Sequence, residues 1–291
     1  QKSVEIMIKS SPDVVKDLEQ YGASFTKDEN GNFVYTKEGA HAHHRILFHE
    51  DVTGKEITSH LLAAVKQLKN VQMYEYTTLL DIICEGNKCC GGIIQWPDGK
   101  EERVEADYVI LATGGIGGTY KHSTNFKHLT GDGVEIAKRH NIELKNLDYV
   151  QIHPTTLYSD NQEERSFLIS ESVRGEGAKL YDKNMNRFVD ELLPRDLLTQ
   201  EIYKQMEKDG TDYVWEDLRT IPRDELVKHF PNIIEHCSEA GYDVFHECIP
   251  IVPAQHYFMG GIKVDYSSKT SMDRLYAVGE TACNGVHGKN R

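Results

Sequence analysis

The sequence predicts an α/β protein with an α+β insertion, in which an inserted capping domain interrupts a mostly parallel sheet. Residues 108–112 form an unbroken apolar run, which suits a strand buried on both faces of such a sheet. Gly114 and Gly115 follow at its carboxyl end, where open α/β sheets bind ligands. After residue 147 polar loops alternate with helical patterns. We expect residues 1–147 and 258–291 to form one domain and residues 148–257 the inserted one.

Apolar residues at helical spacing predict two helices before the first long strands. The first is expected to begin at Ser11-Pro12-Asp13, a helix-start pattern, and to end at Gly22. The second carries the apolar series Ile57, Leu61, Val65 and Leu68. Residues 71–76 are then expected to form a strand.

A β-meander is predicted between this strand and residue 108. Residues 79–84 and 93–96 are short strand-like runs, and turn signals follow at Gly86-Asn87 and at residues 97–99. The adjacent Cys89 and Cys90 are interpreted as alternating residues of a strand in this meander. The meander then leads directly to the apolar run at residues 108–112.

The inserted region is expected to contain three helices. One follows Pro194 and carries Leu197, Leu198, Ile202 and Met206, and two shorter ones cover residues 224–229 and 233–240. Residues 262–264 and 275–278 are then predicted to be strands that resume the first domain.

Composition limits the classes of function. Hydrophobic residues make up 39% of the 291 residues and charged residues 27%, which is ordinary for a soluble globular protein. No apolar run has the length of a membrane helix. The net charge of −13 argues against a nucleic-acid surface, because phosphate binding needs clustered Lys and Arg. The six cysteines form no CxxC pair and no zinc spacing, so a reduced, cytoplasmic compartment is expected.

Glycine-rich stretches mark candidate cofactor-binding backbone. In Ala112-Thr113-Gly114-Gly115, glycine lets main-chain N–H groups approach a phosphate or a planar ring, although a structural turn explains the stretch equally well. Thr130-Gly131-Asp132-Gly133 opens a predicted helix and is compatible with a simple helix cap. Glu280 ends the predicted strand at residues 275–278, and could accept hydrogen bonds from a ribityl or ribose hydroxyl or face solvent.

Taken in order, these stretches resemble the flavoprotein subunits of succinate dehydrogenase and fumarate reductase. The resemblance spans essentially the whole chain and includes the motifs at residues 151–155, 171–178, 194–196 and 256–261. It implies a partial FAD-binding Rossmann-like domain with an inserted capping domain, and a small dicarboxylate such as L-aspartate or fumarate as substrate. The stretches 38–54, 252–257 and 285–291 resemble the branch of the family that oxidises L-aspartate. The departures are small, at Ala40, Ala42, Ser170 and Lys289.

That branch implies non-covalently bound FAD and the oxidation of L-aspartate to iminoaspartate, the first step towards quinolinate and NAD, with oxygen or fumarate as electron acceptor. Planar Arg groups and charge-assisted donors hold carboxylates well. The resemblance implies that Arg291 and His256 clamp one carboxylate. His153 and Ser170 are expected to hold the other. Arg195 is expected to orient and neutralise the substrate over its reacting carbons.

Further substrate contacts are expected from Glu38, which would recognise the amine, and from Gln151 and Glu171. A structural role stays open for Arg195, His153, His256 and Glu38. Four histidines resemble metal ligands, but the family resemblance implies packing against the flavin or the substrate rim and no metal; they are His41, His43, His44 and His49.

Two other functions stay open at this point. The chain could be a fumarate reductase or succinate dehydrogenase subunit, or a folded piece without catalysis. The Gly-x-Gly-x-x-Gly turn that seats the FAD pyrophosphate is absent from the 291 residues and both ends look cut, so weak or no FAD binding is expected. Association with quinolinate synthase is also expected, because iminoaspartate is unstable in water.

Overall fold

The computed structural model describes residues 2–36, 43–50, 52–161 and 164–289. The helices are α1 (Lys2–Gln20), α2 (Thr53–Lys66), α3 (Asp132–Arg139), α4 (Glu171–Gly175), α5 (Arg195–Asp209), α6 (Arg223–His229) and α7 (Pro231–Glu239). The strands are β1 (Tyr35–Thr36), β2 (Ile46–Leu47), β3 (Thr78–Glu85), β4 (Lys88–Gln95), β5 (Glu101–Glu105), β6 (Val109–Leu111), β7 (Leu144–Lys145), β8 (Val150–Leu157), β9 (Lys179–Tyr181), β10 (Val214–Asp217), β11 (Ile249–Phe258), β12 (Gly261–Lys263), β13 (Leu275–Ala277) and β14 (Ala282–Cys283). The mixed α/β fold class is confirmed.

Helix α1 begins nine residues earlier than the sequence predicts, so the expected start at Ser11 is wrong. The helix runs through Pro12, and the Ser11 hydroxyl donates a hydrogen bond to the Met7 carbonyl at 2.7 Å. Proline has no backbone N–H, so a helix that contains it lacks one hydrogen bond. The residues on either side can still continue the helix. The predicted end is confirmed, since the chain turns at Gly22 with a φ of +100°.

Residues 71–76 form no strand, so that prediction is also wrong. Tyr76 has a φ of +56°, which breaks an extended conformation, and Tyr74 packs its ring edge-on against Trp96 at 5.2 Å between ring centroids. Of the residues that suggested a strand, Tyr74 therefore packs onto the meander, whereas Tyr76 is 89% exposed.

The predicted meander is confirmed as the antiparallel sheet β3-β4-β5. Cys89 is buried and Cys90 half-buried on β4, as alternating strand residues should be. Gly91 has a φ of +148°, and a Cβ there would overlap the Val104 carbonyl oxygen of β5. Only glycine therefore permits this close approach of β4 and β5.

The apolar run at residues 108–112 does form a parallel strand, β6, which pairs with β13. The expectation that it is buried on both faces is wrong for the described residues, since Tyr108 and Ile110 are each 63% exposed. Leu111 of β6 is buried in the core together with Leu275 and Ala277 of β13, and the partly buried Val109 packs against it. The parallel pair of β6 and β13 is packed on one face. A continuous apolar run therefore does not guarantee that both faces of a strand are buried.

The four-stranded antiparallel sheet β8-β11-β10-β9 lies in the predicted insertion. The register of β8 and β11 shifts twice, between Val252 and Ala254 and between Gln255 and Tyr257. Such a bulge takes a residue out of the strict in–out alternation of a strand. His256 lies in the second bulge, so its side chain is re-aimed relative to its neighbours.

The described residues contain two hydrophobic cores. One joins residues between 157 and 251, with Leu198 and Ile202 of α5 at its centre, and the other joins residues between 82 and 282. The domain boundaries at residues 147/148 and 257/258 remain a prediction. No helix among the described residues has both the length and the apolarity needed to cross a membrane.

Candidate active site

Arg195 is the first residue of α5 and is held from two sides. Its Nε donates to the Glu171 carboxylate at 2.5 Å, and its Nη1 donates to the Gln151 side-chain oxygen at 3.3 Å. Pro194 precedes the helix and fixes the direction in which the chain enters it. The guanidinium is therefore oriented by α4 and β8 while its side chain stays 20% exposed.

His153 lies on β8 and is 1% exposed. Its Nδ1 contacts the Thr155 carbonyl at 3.0 Å and the Thr155 N–H at 3.2 Å, which fixes the ring in its plane. Burial lowers the pKa of His153 well below its ordinary value, and the nearby positive charge of Arg195 lowers it further. His153 is therefore a neutral imidazole that can bind through Nε2.

His256 lies beside His153, with 5.3 Å between the ring centroids and an edge-on arrangement. Its Nδ1 is 2.7 Å from the Thr124 hydroxyl, which comes from the loop that precedes α3. The two histidines and Arg195 thus come together from β8, β11 and α5, whereas Arg291, which is also predicted at this pocket, lies outside the described residues. Thr124 was not predicted as a site residue.

Ser170 caps α4, because its hydroxyl oxygen accepts a hydrogen bond from the Ser172 N–H at 3.3 Å. The hydroxyl proton is not used in this bond, so Ser170 can still donate. Glu171 is the next residue. Its carboxylate, which was predicted to contact the substrate, accepts a hydrogen bond from the Arg195 guanidinium.

Arg174 is a second cation near the site that the sequence reasoning missed. It is 2% exposed, and its Nη1 donates to the Glu191 carbonyl at 2.7 Å. Its Nε and Nη2 have no hydrogen-bond partner among the described residues. Burial lowers the pKa of Arg174. Its position three residues after Glu171, on the same face of a helix, is the signal that could have found it.

The predicted cofactor-binding residues converge at the carboxyl ends of β6 and β13. The Thr113 hydroxyl donates to the Thr281 hydroxyl at 3.0 Å, and Glu280 accepts from the Phe258 N–H at 2.8 Å. A Cβ on Gly115 would lie 2.5 Å from the Glu280 carboxylate. Glu280 thus packs against this edge and does not simply face solvent.

Glycine also lines the start of α3. Gly131 has a φ of +84° at the N-cap, and a Cβ on Gly133 would overlap the Thr113 hydroxyl. Thr130 donates from its hydroxyl to Asp132 at 2.8 Å, and Asp132 lies in the first turn. The neighbouring Ala112 and Gly114 leave main chain accessible at the strand end. The small residues at this edge let main-chain N–H groups approach a ligand closely. The edge therefore fits a phosphate or a flat ring such as those of FAD.

Several predicted residues lie outside the part of the chain that the structure describes: Glu38, Ala40, His41, Ala42 and Arg291. Two of the four histidines that resemble metal ligands contact main-chain carbonyls. His44 Nδ1 lies 3.2 Å from the Tyr35 carbonyl and His49 Nδ1 lies 3.1 Å from the Ser24 carbonyl. Within the described ranges no group of three His, Cys, Asp or Glu residues could hold a metal ion.

Comparison with known proteins matches residues 1–291 to the model of the FAD binding domain family. The L-aspartate oxidase of Clostridium perfringens (strain 13 / Type A) is 51% identical over 99% of this chain, and that of Clostridium acetobutylicum is 46% identical over 100%. This chain spans 65% and 67% of the length of those two proteins. A solved E. coli quinol fumarate reductase variant is 29% identical, with a TM-score of 0.91 over 100% of this chain and 53% of its own.

Proposed function

Because this chain belongs to the FAD binding domain family, whose model spans residues 1–291, we propose that it is the substrate-contacting part of an enzyme that oxidises L-aspartate to iminoaspartate. FAD is the cofactor of this family. The relatives that share 51% and 46% identity carry the name L-aspartate oxidase, and the sequence motifs resemble the same branch. These names support both the proposed substrate, L-aspartate, and the proposed reaction, its oxidation.

The observation that carries the proposal is the meeting of Arg195, His153 and His256. A small dicarboxylate needs oriented donors, and a fixed guanidinium with two imidazoles supplies them within a protein of net charge −13. Gln151 and Glu171 hold the guanidinium in one orientation, so little conformational entropy is lost when the substrate binds.

Each side chain has a role that follows from its chemistry. Arg195 neutralises and orients a carboxylate, and keeps its own proton because an arginine side chain stays charged in proteins. Neutral His153 contributes Nε2 to the site without adding a second buried positive charge. Ser170 and His256 donate further hydrogen bonds to the carboxylates. We also propose that Glu38 pairs with the substrate ammonium and that Arg291 binds a carboxylate.

FAD, when bound, would supply the acceptor for the hydride that leaves the α-carbon, and one proton of the ammonium group would be lost to solvent. The residues that would hold the cofactor are those at the ends of β6 and β13 and at the start of α3: Ala112, Thr113, Gly114, Gly115, Thr130, Gly131, Asp132 and Glu280. Their main-chain N–H groups and the positive end of α3 suit phosphate oxygens.

The test uses the full-length protein loaded with FAD and mixed anaerobically with L-aspartate. The flavin absorption should bleach, and succinate at the same concentration should leave it oxidised, because succinate lacks the amine. Oxygen or fumarate should then restore the colour.

The competing function is fumarate reduction or succinate oxidation, which the structural likeness to quinol fumarate reductase supports. Bleaching by succinate in place of L-aspartate would favour it and reject our proposal. We further propose a cytoplasmic enzyme that passes unstable iminoaspartate to quinolinate synthase. Higher yield of quinolinate from the two proteins together than from the product left free in solution would support that association.

A further inference from the structure

The loop of residues 121–125 runs along β11 like an extra strand. The Gln255 N–H donates to the His122 carbonyl and the Thr124 N–H donates to the Gln255 carbonyl, both at 2.9 Å. These bonds make a parallel bridge between Ser123 and Gln255. A loop that connects the cofactor edge to α3 is therefore fixed to the strand that carries His256.

Three consecutive side chains of this loop bind the same two residues of β11. The Ser123 hydroxyl donates to the Gln255 side-chain oxygen at 2.7 Å. The Asn125 amide donates to the His256 carbonyl at 3.2 Å, and the Thr124 hydroxyl lies 2.7 Å from His256 Nδ1. Of these three contacts, the one made by Thr124 reaches the imidazole, so Thr124 can influence which ring nitrogen carries a proton.

The contacts of Thr124 allow two directions for its bond to His256. A threonine hydroxyl has one proton to donate, and its possible acceptors are His256 Nδ1 at 2.7 Å and the Gln255 carbonyl at 3.4 Å. If the proton goes to Nδ1, the imidazole accepts; if it goes to the Gln255 carbonyl, the hydroxyl accepts from an Nδ1–H. A neutral imidazole that accepts at Nδ1 must carry its own proton on Nε2.

We propose that Thr124 is a positioning residue that holds His256 with its proton on Nε2, ready to donate to a substrate carboxylate. The proposal deepens the function proposed above and rests on it. A ring held at Nδ1 can contact substrate only through Nε2, and with the proton there it attracts a carboxylate. With the proton on Nδ1, the Nε2 lone pair would face that carboxylate and repel it.

Kinetics of the full-length, FAD-loaded protein test the proposal. Thr124→Val keeps the shape and removes the hydroxyl, and should raise the KM for L-aspartate about tenfold, the size of one lost oriented hydrogen bond. kcat should stay within about twofold, because the bond to a carboxylate away from the reacting carbon is as strong in the bound substrate as in the transition state. Thr124→Ser keeps the hydroxyl and should restore the KM to within about twofold.

Thr119→Val is the matched control, because the same change is made five residues earlier in the chain, at a hydroxyl that donates to the Ile116 carbonyl at 2.7 Å. It should leave the KM unchanged. If Thr124→Val keeps the parental KM, or if Thr124→Ser is as impaired as Thr124→Val, the positioning role is rejected.

A second readout needs no turnover. Long-range nitrogen–proton spectra of protein labelled with ¹⁵N-histidine report the tautomer of each ring, and His256→Gln identifies the His256 signals. The parent and Thr119→Val should show the Nε2–H form of His256, and Thr124→Val a mixture of both tautomers. Should the parent fail to oxidise L-aspartate, the proposed function fails, while the spectra still decide the role of Thr124. A His256 signal that is the same in parent and Thr124→Val overturns it.

Discussion

At the scale of single residues, Arg195 illustrates how much the fixed neighbours of a charged group matter. Its planar fork donates in two directions at once, to Glu171 on α4 and to Gln151 on β8. A lysine is a single compact charge on a flexible chain and cannot make both bonds with the same orientation. The neighbours of Arg195 therefore set its position as much as its own charge does.

We predict that Arg195→Lys lowers kcat for L-aspartate about 100-fold, since a small misplacement of an orienting group costs that much. The flavin should stay bound, because the residues proposed to hold it, at the ends of β6 and β13 and at the start of α3, do not include Arg195. Steady-state kinetics together with the flavin absorption spectrum check both points. Arg223→Lys is the control, since Arg223 is the first residue of α6 and lies over the Phe245 ring. Unchanged turnover in Arg195→Lys would contradict the role of Arg195.

Glu216 is a buried carboxyl group that the proposed chemistry does not use. Both of its oxygens lack a hydrogen-bond partner among the described residues. Burial raises the pKa of Glu216 to about 7, the negative charge of Glu191 adds to this, and Arg174 opposes it. The folded protein therefore binds this proton more tightly than the unfolded chain does.

The sign of the resulting pH dependence follows directly. Glu216 costs nothing below its ordinary pKa of 4.5, and its burial penalty grows as the pH rises from there to about 7. The complete penalty is about 3 kcal/mol of unfolding free energy at higher pH, as an upper estimate. We predict that Glu216→Gln removes this loss.

Urea unfolding at about pH 5 and about pH 8 measures it. Glu216→Gln should be more stable than the parent at the higher pH and much closer to it at the lower one. Glu207→Gln, an exposed residue of α5, should follow the parent at both. A parallel pH dependence of Glu216→Gln and parent would show that Glu216 is not the cause.

The same residues show what the sequence could and could not predict about the site. Arg195, His153 and His256 were found through motifs, each a short string with a recognisable neighbourhood. Thr124 lies 132 residues from His256 and stands in no motif that marks it as a partner. Contacts of this kind depend on the register of the loop against β11, which residue types alone do not determine.

At the scale of elements, the sequence correctly predicted the turns and the helix start that interactions between nearby residues determine. The turns at Gly86-Asn87 and residues 97–99 fixed the meander, and Pro194 fixed the start of α5. The errors came where a local signal was overridden. Pro12 suggested a helix start inside α1, and the strand-like residues 71–76 had no neighbouring strand to pair with.

We predict that Gly91→Ala destabilises the meander by more than about 2 kcal/mol, because the new Cβ meets the backbone of β5 and the φ of +148° is unfavourable for alanine. Gly54→Ala is the control, since its Cβ would meet nothing within 4 Å at the start of α2. Chemical denaturation measures both. Equal stability of the two variants would mean that β4 and β5 separate at little cost.

At the scale of the whole molecule, the site joins parts that pack separately. Arg195 begins a helix whose Leu198 and Ile202 lie at the centre of one core. His256 lies near the end of β11, where Phe258 reaches Glu280 beside the second core. The sequence predicted two regions of different character, but not the two bulges that bring His256 next to His153.

A ligand that bridges these parts should stabilise the whole protein. Succinate carries two carboxylates and no amine, so it should bind between Arg195 and the histidines without being oxidised. At ten times its dissociation constant it should add about 1.4 kcal/mol to the free energy of unfolding. Propionate has one carboxylate and can engage only one side, so at the same concentration it should add much less.

Thermal unfolding of the FAD-loaded protein with increasing succinate or propionate measures this difference. Arg195→Lys should reduce the succinate effect, because one side of the bridge is then misplaced, whereas Arg223→Lys should keep it. A dicarboxylate site favours a ligand that carries two carboxylates over a ligand that carries one. A general attraction of anions to positive charge does not require both carboxylates to bind at defined positions. Equal stabilisation by succinate and propionate would therefore mean that Arg195, His153 and His256 do not act on one ligand together.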